Sequence, residues 1–453
     1  MGYPTKDVNG NQEPSKLELC PGIYYYDIKH LTKKLCALGF SRLDLSIKEG
    51  RRFGTYPAFL KPVLNRTNLH IYRFAHVNKI HMGKKTNRAY AVTYKRHGHE
   101  SFVRVKREII ISAGAIGSPK LLMLSGIGPK QHLESLGIEC RIDLPVGRNL
   151  MDHISVPVGP FIVDTQIKTN VPGRDITLST VAEYFSKRTG LLASAMGANA
   201  VAYIYSSLSK KRAEFWNKSP DIQLSLFPAN PNIHEALEEV ASVKPGLLRK
   251  YLRGLEEKDV FIVNVMLGKP GSRGDIKLAS TDPLESPIMD PKYFSHPDDI
   301  RRVVDGMKFT VQLVENTEAF RRIGARFISR HFPGCEKYEL TTDGYYECCA
   351  RHMTFTVYHQ SGTCTMGYGP EDPKAVVDSK LRVIHAKGLR VVGASIIPEI
   401  PNGNINAAVI MIADIASEFI LDYWTQVDSS MRSRSPSPFI NSGKQNKLDF
   451  IGF

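Results

Sequence analysis

Arg107-Glu-Ile-Ile-Ile-Ser-Ala-Gly-Ala-Ile-Gly-Ser-Pro-Lys-Leu-Leu-Met-Leu-Ser-Gly-Ile-Gly-Pro129 is the stretch from which the rest of the chain can be read. Glu108–Ser112 is a short apolar run rich in β-branched residues, which predicts a strand buried on both faces, as in a parallel sheet. Ala113-Gly114-Ala115-Ile116-Gly117 follows, small enough for a second backbone or a planar ligand to come close. Ser118-Pro119 offers a capping hydroxyl and an N1 proline, so a helix is expected over Lys120–Leu124. Ser125-Gly126-Ile127-Gly128-Pro129 should end it. Strand, glycine elbow and helix N-terminus make a βα unit able to receive an anionic cofactor. Taken alone, the same pattern also describes a plain crossover with no ligand.

Outward from this unit, 453 residues suffice for two or three domains, each with a core of its own. The 42% hydrophobic content is that of an ordinary globular chain. A net charge of +15 invites a nucleic-acid reading. The basic residues are scattered in short pairs such as Arg51-Arg52, Lys84-Lys85 and Arg321-Arg322, with no stripe interleaved with aromatics, so no nucleic acid is expected. Cys20, Cys36, Cys140, Cys335, Cys348, Cys349 and Cys364 show no metal-type pair spacing, and an odd number cannot all pair within the chain. The histidines of 70–99 lack ligand spacing as well, so no metal is read. No apolar signal-peptide core is visible at the start, and Lys6 argues against myristoylation at Gly2. Ile405–Trp424 is interrupted by Asn406, Asp414, Glu418 and Asp422, which predicts a buried helix rather than a membrane span. Asn65-Arg-Thr67 and Asn217-Lys-Ser219 are possible glycosylation triplets.

Periodicity places a helix at Ile28–Leu38. A meander of strands follows at Leu69–Phe74, His76–His81, Ala89–Lys95 and Phe102–Val105, with turns at Gly83–Asn87 and His97–His99. A short helix is expected at Gln131–Leu136. Beyond residue 154, strands are expected at Val156–Val163, Asp221–Leu226, Val260–Leu267 and Asp275–Leu278, with helices at Leu178–Ser186, Ile233–Leu255 and Asp298–Asn316. His352–Tyr358 reads as a β-rich run with His359 at its end. Residues 426–453, with Arg432-Ser-Arg-Ser-Pro-Ser-Pro438, are low in complexity and read as a disordered tail.

Gly114-Ala-Ile-Gly-Ser-Pro-Lys-Leu-Leu-Met-Leu-Ser-Gly-Ile-Gly-Pro129 resembles the second signature of the glucose–methanol–choline (GMC) flavoprotein oxidoreductases. The resemblance runs, with interruptions, from about Gly50 to about Ile420 and is strongest to the insect-type glucose dehydrogenase branch. It takes in Asp143-Leu-Pro-Val-Gly-Arg-Asn-Leu-Met-Asp-His153, Lys269–Leu278, Tyr358-His-Gln-Ser-Gly-Thr-Cys-Thr-Met-Gly367 and Arg390–Asn406. It implies an α/β fold, α+β overall: a partial, Rossmann-like FAD-binding domain over 1–153 and a substrate domain over 154–358 with an antiparallel sheet flanked by helices. Residues 359–425 would return to the FAD domain, ahead of the tail. FAD would be the cofactor, contacted at Val77, Ala113, Gly114, Gly393, Ala394, Asn404 and Ile405. A small alcohol or sugar would be the substrate, and a quinone or oxygen the electron acceptor. An extracellular setting is also implied.

By itself His359 could be a satisfied core histidine, and Asn402-Gly403-Asn404 simply a turn, with Asn404 or Asn406 a helix N-cap. The resemblance makes His359 and Asn404 the catalytic pair, expected to reach one shared substrate oxygen. His359 would accept the hydroxyl proton, Asn404 would bond the same oxygen, and the carbinol hydride would pass to the flavin. Cys364 would be a small buried apolar residue. Four departures stand out. No Gly-x-Gly-x-x-Gly follows a strand, so the phosphate-binding part of the cofactor domain is expected to be absent. Gly393 stands where the family usually has aspartate, Asn406-Ala-Ala408 replaces Asn-Ala-Pro, and Gly54-Thr55-Tyr56 replaces Ser-Thr-Ala. Two classes of function follow: an FAD-dependent oxidoreductase of CH–OH groups, or a GMC-like chain that binds without catalysis.

Overall fold

The computed structural model describes residues 39–194, 200–211 and 219–434. The Ile28–Leu38 helix, Cys20, Cys36, most of the Asn217 triplet and residues 435–453 lie outside them. The chain divides into two compact units, one from Met1–Phe59, His153–Gly271 and His296–Val357, the other from Leu60–Asp152, Ser272–Ser295 and Tyr358–Phe453.

The first unit is built on an antiparallel sheet. Its order is Gly39–Arg42, Ala200–Ile204, Ile222–Ala229, Val260–Leu267, Ile154–Ile162 and Arg326–Phe327, with Phe355–Thr356 pairing at the far end of Ile154–Ile162. Val156, Val158, Phe161, Ile222, Leu224, Val263 and Val265 are buried along these strands, as their β-branched and aromatic runs require. The Pro297–Asn316 helix buries Ile300, Val303, Val304, Met307 and Val311. Its Arg302, side chain only 13% exposed, bridges the buried carboxylates of Asp221 and Asp299. The helix expected over Ile233–Leu255 is two, His234–Val240 and Leu247–Leu252, separated at Pro245-Gly246 where Gly246 turns left-handed. The carboxylate of Glu238 accepts from the backbone N–H of Gly246, Leu248 and Arg249 and so ties the two together. The run expected over His352–Tyr358 is divided differently: His352 ends the Asp343–His352 helix, and only Phe355–Thr356 is strand.

In the second unit, Ile109–Ile111 pairs in parallel with Leu389–Val391, and Val392 N–H donates to Ile111 C=O at 2.9 Å. Ala75–Met82, Ala89–Arg96 and His99–Arg104 form the antiparallel meander. Leu69–Phe74 is not part of it. Apart from a single bridge at Leu69, those residues are turn and irregular chain, and Phe74 is left-handed with φ 58°. The helix after the central strand begins six residues earlier than expected, at Gly114, and runs to Leu124 with Pro119 inside it. Gly114, at φ 75°, turns the chain straight from strand into helix. Pro119 lacks the N–H that would bond Ala115 C=O, and the Thr363 hydroxyl donates to that carbonyl instead, at 2.6 Å. A residue 248 positions away thus makes the internal proline tolerable. Ser118, expected to cap the helix, is buried within it, its hydroxyl without a hydrogen-bond partner.

Ser272–Ser295, expected in the substrate domain, belongs to this second unit. Leu150 and Gly274 exchange backbone hydrogen bonds, and Ile276 N–H donates to Gly147 C=O at 2.8 Å. Ile276 and Leu278 then join Leu122, Met123 and Leu144 in one core. The Asn406–Arg434 helix runs well past residue 426, where a tail was expected. It is also not the buried helix that its apolar sequence suggests: Met411, Leu421 and Tyr423 are 38%, 48% and 42% exposed, with Ala416 and Ile420 its buried apolar anchors. Its later turns are held by the indole N–H of Trp424, which donates to Glu108 at 2.5 Å, while Arg390 donates to the other oxygen of Glu108.

Candidate active site

His359 follows a reversal of the chain. Tyr358 is left-handed at φ 61° and 75% exposed, so the next side chain turns inward, and His359 is 8% exposed. Three donors converge on the nearly buried carboxylate of Asp152 to hold that turn. They are the His359 N–H at 3.0 Å, the Gln360 amide at 3.2 Å and the Tyr293 hydroxyl at 2.6 Å. Ser361 then pairs with Met151 through both backbone groups, at 2.9 and 3.0 Å. Gly362 has no room for a side chain, because a Cβ would lie 2.5 Å from Asn149 C=O. Its N–H donates to Ala394, and those of Cys364 and Met366 donate to Ser395 and Ile396. The segments 147–152, 359–366 and 393–397, far apart in sequence, are therefore knitted by backbone bonds.

Asn404 lies on the loop before the Asn406–Arg434 helix, its amide nitrogen 3.4 Å from His359 Nε2. Neither asparagine precedes the helix directly. That place is taken by Ile405, whose C=O accepts from Val409 N–H at 2.9 Å. Asn404 is exposed while Ile405 is buried with Met151, Ile397 and Ile400. Burial lowers the His359 imidazole from 6.5 to about 4, so at neutral pH it is uncharged, with a lone pair on the nitrogen opposite the Asn404 amide. Cys364 is fully buried, and desolvation pushes its thiol up to about 12, which leaves it inert near neutrality.

The remaining site residues of the sequence reading sit in the same unit. Ala113 and Gly114 are exposed at the carboxyl end of the Ile109–Ile111 strand, and Gly393 and Ala394 follow the Leu389–Val391 strand beside it. Val77 lies on Ala75–Met82, packed against the core those strands share. Two features escaped the sequence reading, Asp152 and Thr363. Both lie within motifs already singled out, but neither role has a local signature, since each partner is distant in the chain.

Two family models described as GMC oxidoreductase match this sequence, an N-terminal one over residues 28–155 and a C-terminal one over 270–413. The chain belongs to the GMC oxidoreductase family. It is 31% identical over 388 residues to the glucose dehydrogenase (FAD, quinone) of Drosophila melanogaster, an alignment covering 85% of this chain and 58% of that protein. It is 34% identical over 393 residues to the oxygen-dependent choline dehydrogenase of Sinorhizobium medicae, covering 84% and 63%. Among solved structures, a formate oxidase crystal structure superposes with a TM-score of 0.70 at 25% identity, covering 85% of this chain and 66% of that one. The chain thus spans about three-fifths of the length of these GMC relatives.

FAD is the group that the family implies, and the residues present fit one side of it. At both Gly114 and Gly393 the backbone has positive φ, 75° and 132°, and a Cβ built there meets nothing within 4 Å. These open positions stand at the carboxyl ends of two adjacent parallel strands, the place where α/β sheets receive nucleotides. No helix among the described residues is long and apolar enough to cross a membrane.

Proposed function

We propose that this GMC chain carries the substrate-facing part of an FAD-dependent oxidoreductase acting on the CH–OH group of an alcohol or sugar. The observation that carries the reading is the approach of Asn404 to within 3.4 Å of His359 Nε2, with the imidazole neutral. A hydroxyl placed between them would donate to Nε2 and accept from the Asn404 amide, so both residues act on one oxygen. His359 would take the hydroxyl proton as the carbinol carbon gives up its hydride, help worth ~10²–10⁴-fold. Its burial favours the neutral acceptor before reaction, and Asp152 fixes the backbone from which the ring projects. Val77, Ala113, Gly114, Gly393, Ala394, Asn404 and Ile405 would hold FAD, which when bound supplies the hydride acceptor. The positive end of the Asn406–Arg434 helix, next to Asn404, would favour negative charge developing there.

The test compares His359→Ala with the unaltered protein, both within a longer sequence that carries a Gly-x-Gly-x-x-Gly and loaded with FAD, mixed anaerobically with a panel of primary alcohols and aldoses. Flavin bleaching should slow by at least ~10²-fold in the variant, while flavin content per chain stays the same. Equal bleaching rates would remove His359 from the role of base. No bleaching of the unaltered protein by any member of the panel would favour a GMC chain that binds without this chemistry.

A further inference from the structure

In the first unit, Cys335, Cys348 and His352 bring three metal-binding side chains together, their donor atoms all within 4.8 Å of one another. The two cysteines are joined as a disulfide that ties the turn after Phe332 to the Asp343–His352 helix. A disulfide needs no third partner, yet His352 Nδ1 stands 3.8 Å from the Cys348 sulfur and 3.9 Å from that of Cys335. We propose that this cluster has a second state, in which the reduced thiolates and the imidazole bind a zinc-type divalent cation in place of the disulfide.

The geometry suits that cation. Zinc–sulfur bonds of ~2.3 Å and zinc–nitrogen bonds of ~2.0 Å at tetrahedral angles set sulfur and nitrogen roughly 3.5 Å apart. The imidazole is thus already close to its ligating distance from both sulfurs. Cys348 and His352 are one helical turn apart on a single face, and Cys335 reaches them from a turn closed by Cys335 N–H to Phe332 C=O at 2.9 Å. Cys335 is buried, whereas His352 is exposed, so the cation has a path in and water can take the fourth position. Nδ1 also lies 2.9 Å from Cys348 C=O, to which it donates while the disulfide stands. Ligation moves that proton to Nε2 and turns the lone pair to the metal. Cys349 is not a competitor: it is buried and lies outside the group of three converging donors.

The two states interconvert by a balanced exchange. A dithiol reductant gives two electrons and two protons, the S–S bond opens to two thiols, and the reductant becomes a disulfide. The thiols release both protons to solvent as the cation binds. Either crosslink pins the same turn to the same helix, so the local fold survives the change.

The test uses the full chain, as purified and after reduction by a phosphine, which takes up the oxygen of water and binds zinc weakly. Cobalt(II) is titrated in as the probe. The reduced chain should take up a single equivalent with thiolate-to-cobalt charge-transfer absorption, lost on adding zinc, and the oxidised chain should not. His352→Ala should weaken uptake at least about tenfold with the disulfide of the oxidised form intact, and Cys349→Ser should bind as the unaltered chain does. Absence of the thiolate band after reduction would overturn the proposal. So would equal affinity in His352→Ala, or in a Cys335→Ser/Cys348→Ser double variant.

Discussion

An imidazole withdrawn from water loses affinity for its proton, and His359 shows the consequence in both catalysis and stability. Its folded value, about 4, lies below the ordinary 6.5, so the folded chain binds fewer protons than the unfolded one between these values. Stability from this group is therefore complete above pH 6.5 and is lost progressively as the pH falls towards 4. If His359 is the base, kcat/KM should stay level down through pH 6 and decline only on an acid limb with an apparent pKa well below 6.5. A limb at or above 6.5 would mean that a different group is titrating. Asp152 is the other decisive residue. In Asp152→Asn one oxygen becomes an amide donor, so at least one of the His359, Gln360 and Tyr293 donors loses its acceptor. A base displaced by about 1 Å costs roughly 10²-fold, so kcat should drop by that order with flavin content unchanged. Unchanged kcat would show that the loop keeps its place without the carboxylate.

Among the elements, the Gly114–Leu124 helix depends most on a distant partner. Thr363→Val would leave the Ala115 carbonyl without a donor inside a helix whose own ladder cannot supply one. The cost should be about 1–3 kcal/mol, read as a lower urea midpoint, with Thr363→Ser close to the unaltered chain. Equal midpoints for the valine and serine variants would show that water reaches that carbonyl. The Asn406–Arg434 helix is tied to the strand region by an Arg107–Asp428 ion pair at 2.9 Å and by Glu108. Glu108, its side chain 6% exposed, serves both Arg390 and Trp424, so the later turns are positioned from the central strand.

At the scale of the whole molecule, the exposed apolar side chains of Met411, Leu421 and Tyr423 matter beside the short parallel pair. Among the described residues, Ile109–Ile111 pairs with Leu389–Val391 alone, leaving an open sheet edge. The residues that would hold FAD are mostly backbone and small side chains, and the sequence contains no Gly-x-Gly-x-x-Gly to grip a pyrophosphate. The 453-residue chain by itself should therefore self-associate and lose added FAD on gel filtration. Within a longer sequence that supplies those glycines, it should retain the flavin. Stoichiometric yellow protein from the 453-residue chain would refute this.

Strand Val260–Leu267 and the long Pro297–Asn316 helix were close to legible from period and β-branched content, because such patterns are local. By contrast, Gly39–Arg42, Ala200–Ile204 and Arg326–Phe327 gave no such signal, and the antiparallel sheet was implied by the resemblance alone. The signature from Gly114 to Pro129 likewise determined the family, since its length leaves little room for coincidence. Helix limits at proline were not legible: Pro119 normally marks a start, and only the Thr363 hydroxyl lets it sit inside. Nor was the return of Ser272–Ser295 to the second unit, which rests on backbone bonds to Gly147 and Leu150 that no composition reveals. His359 and Asn404 could be named from motifs, but their 3.4 Å separation belongs to the tertiary structure. Their segments are brought together by bonds to Met151, Ala394 and Ser395, and pairing between distant backbones leaves no periodic trace in a sequence.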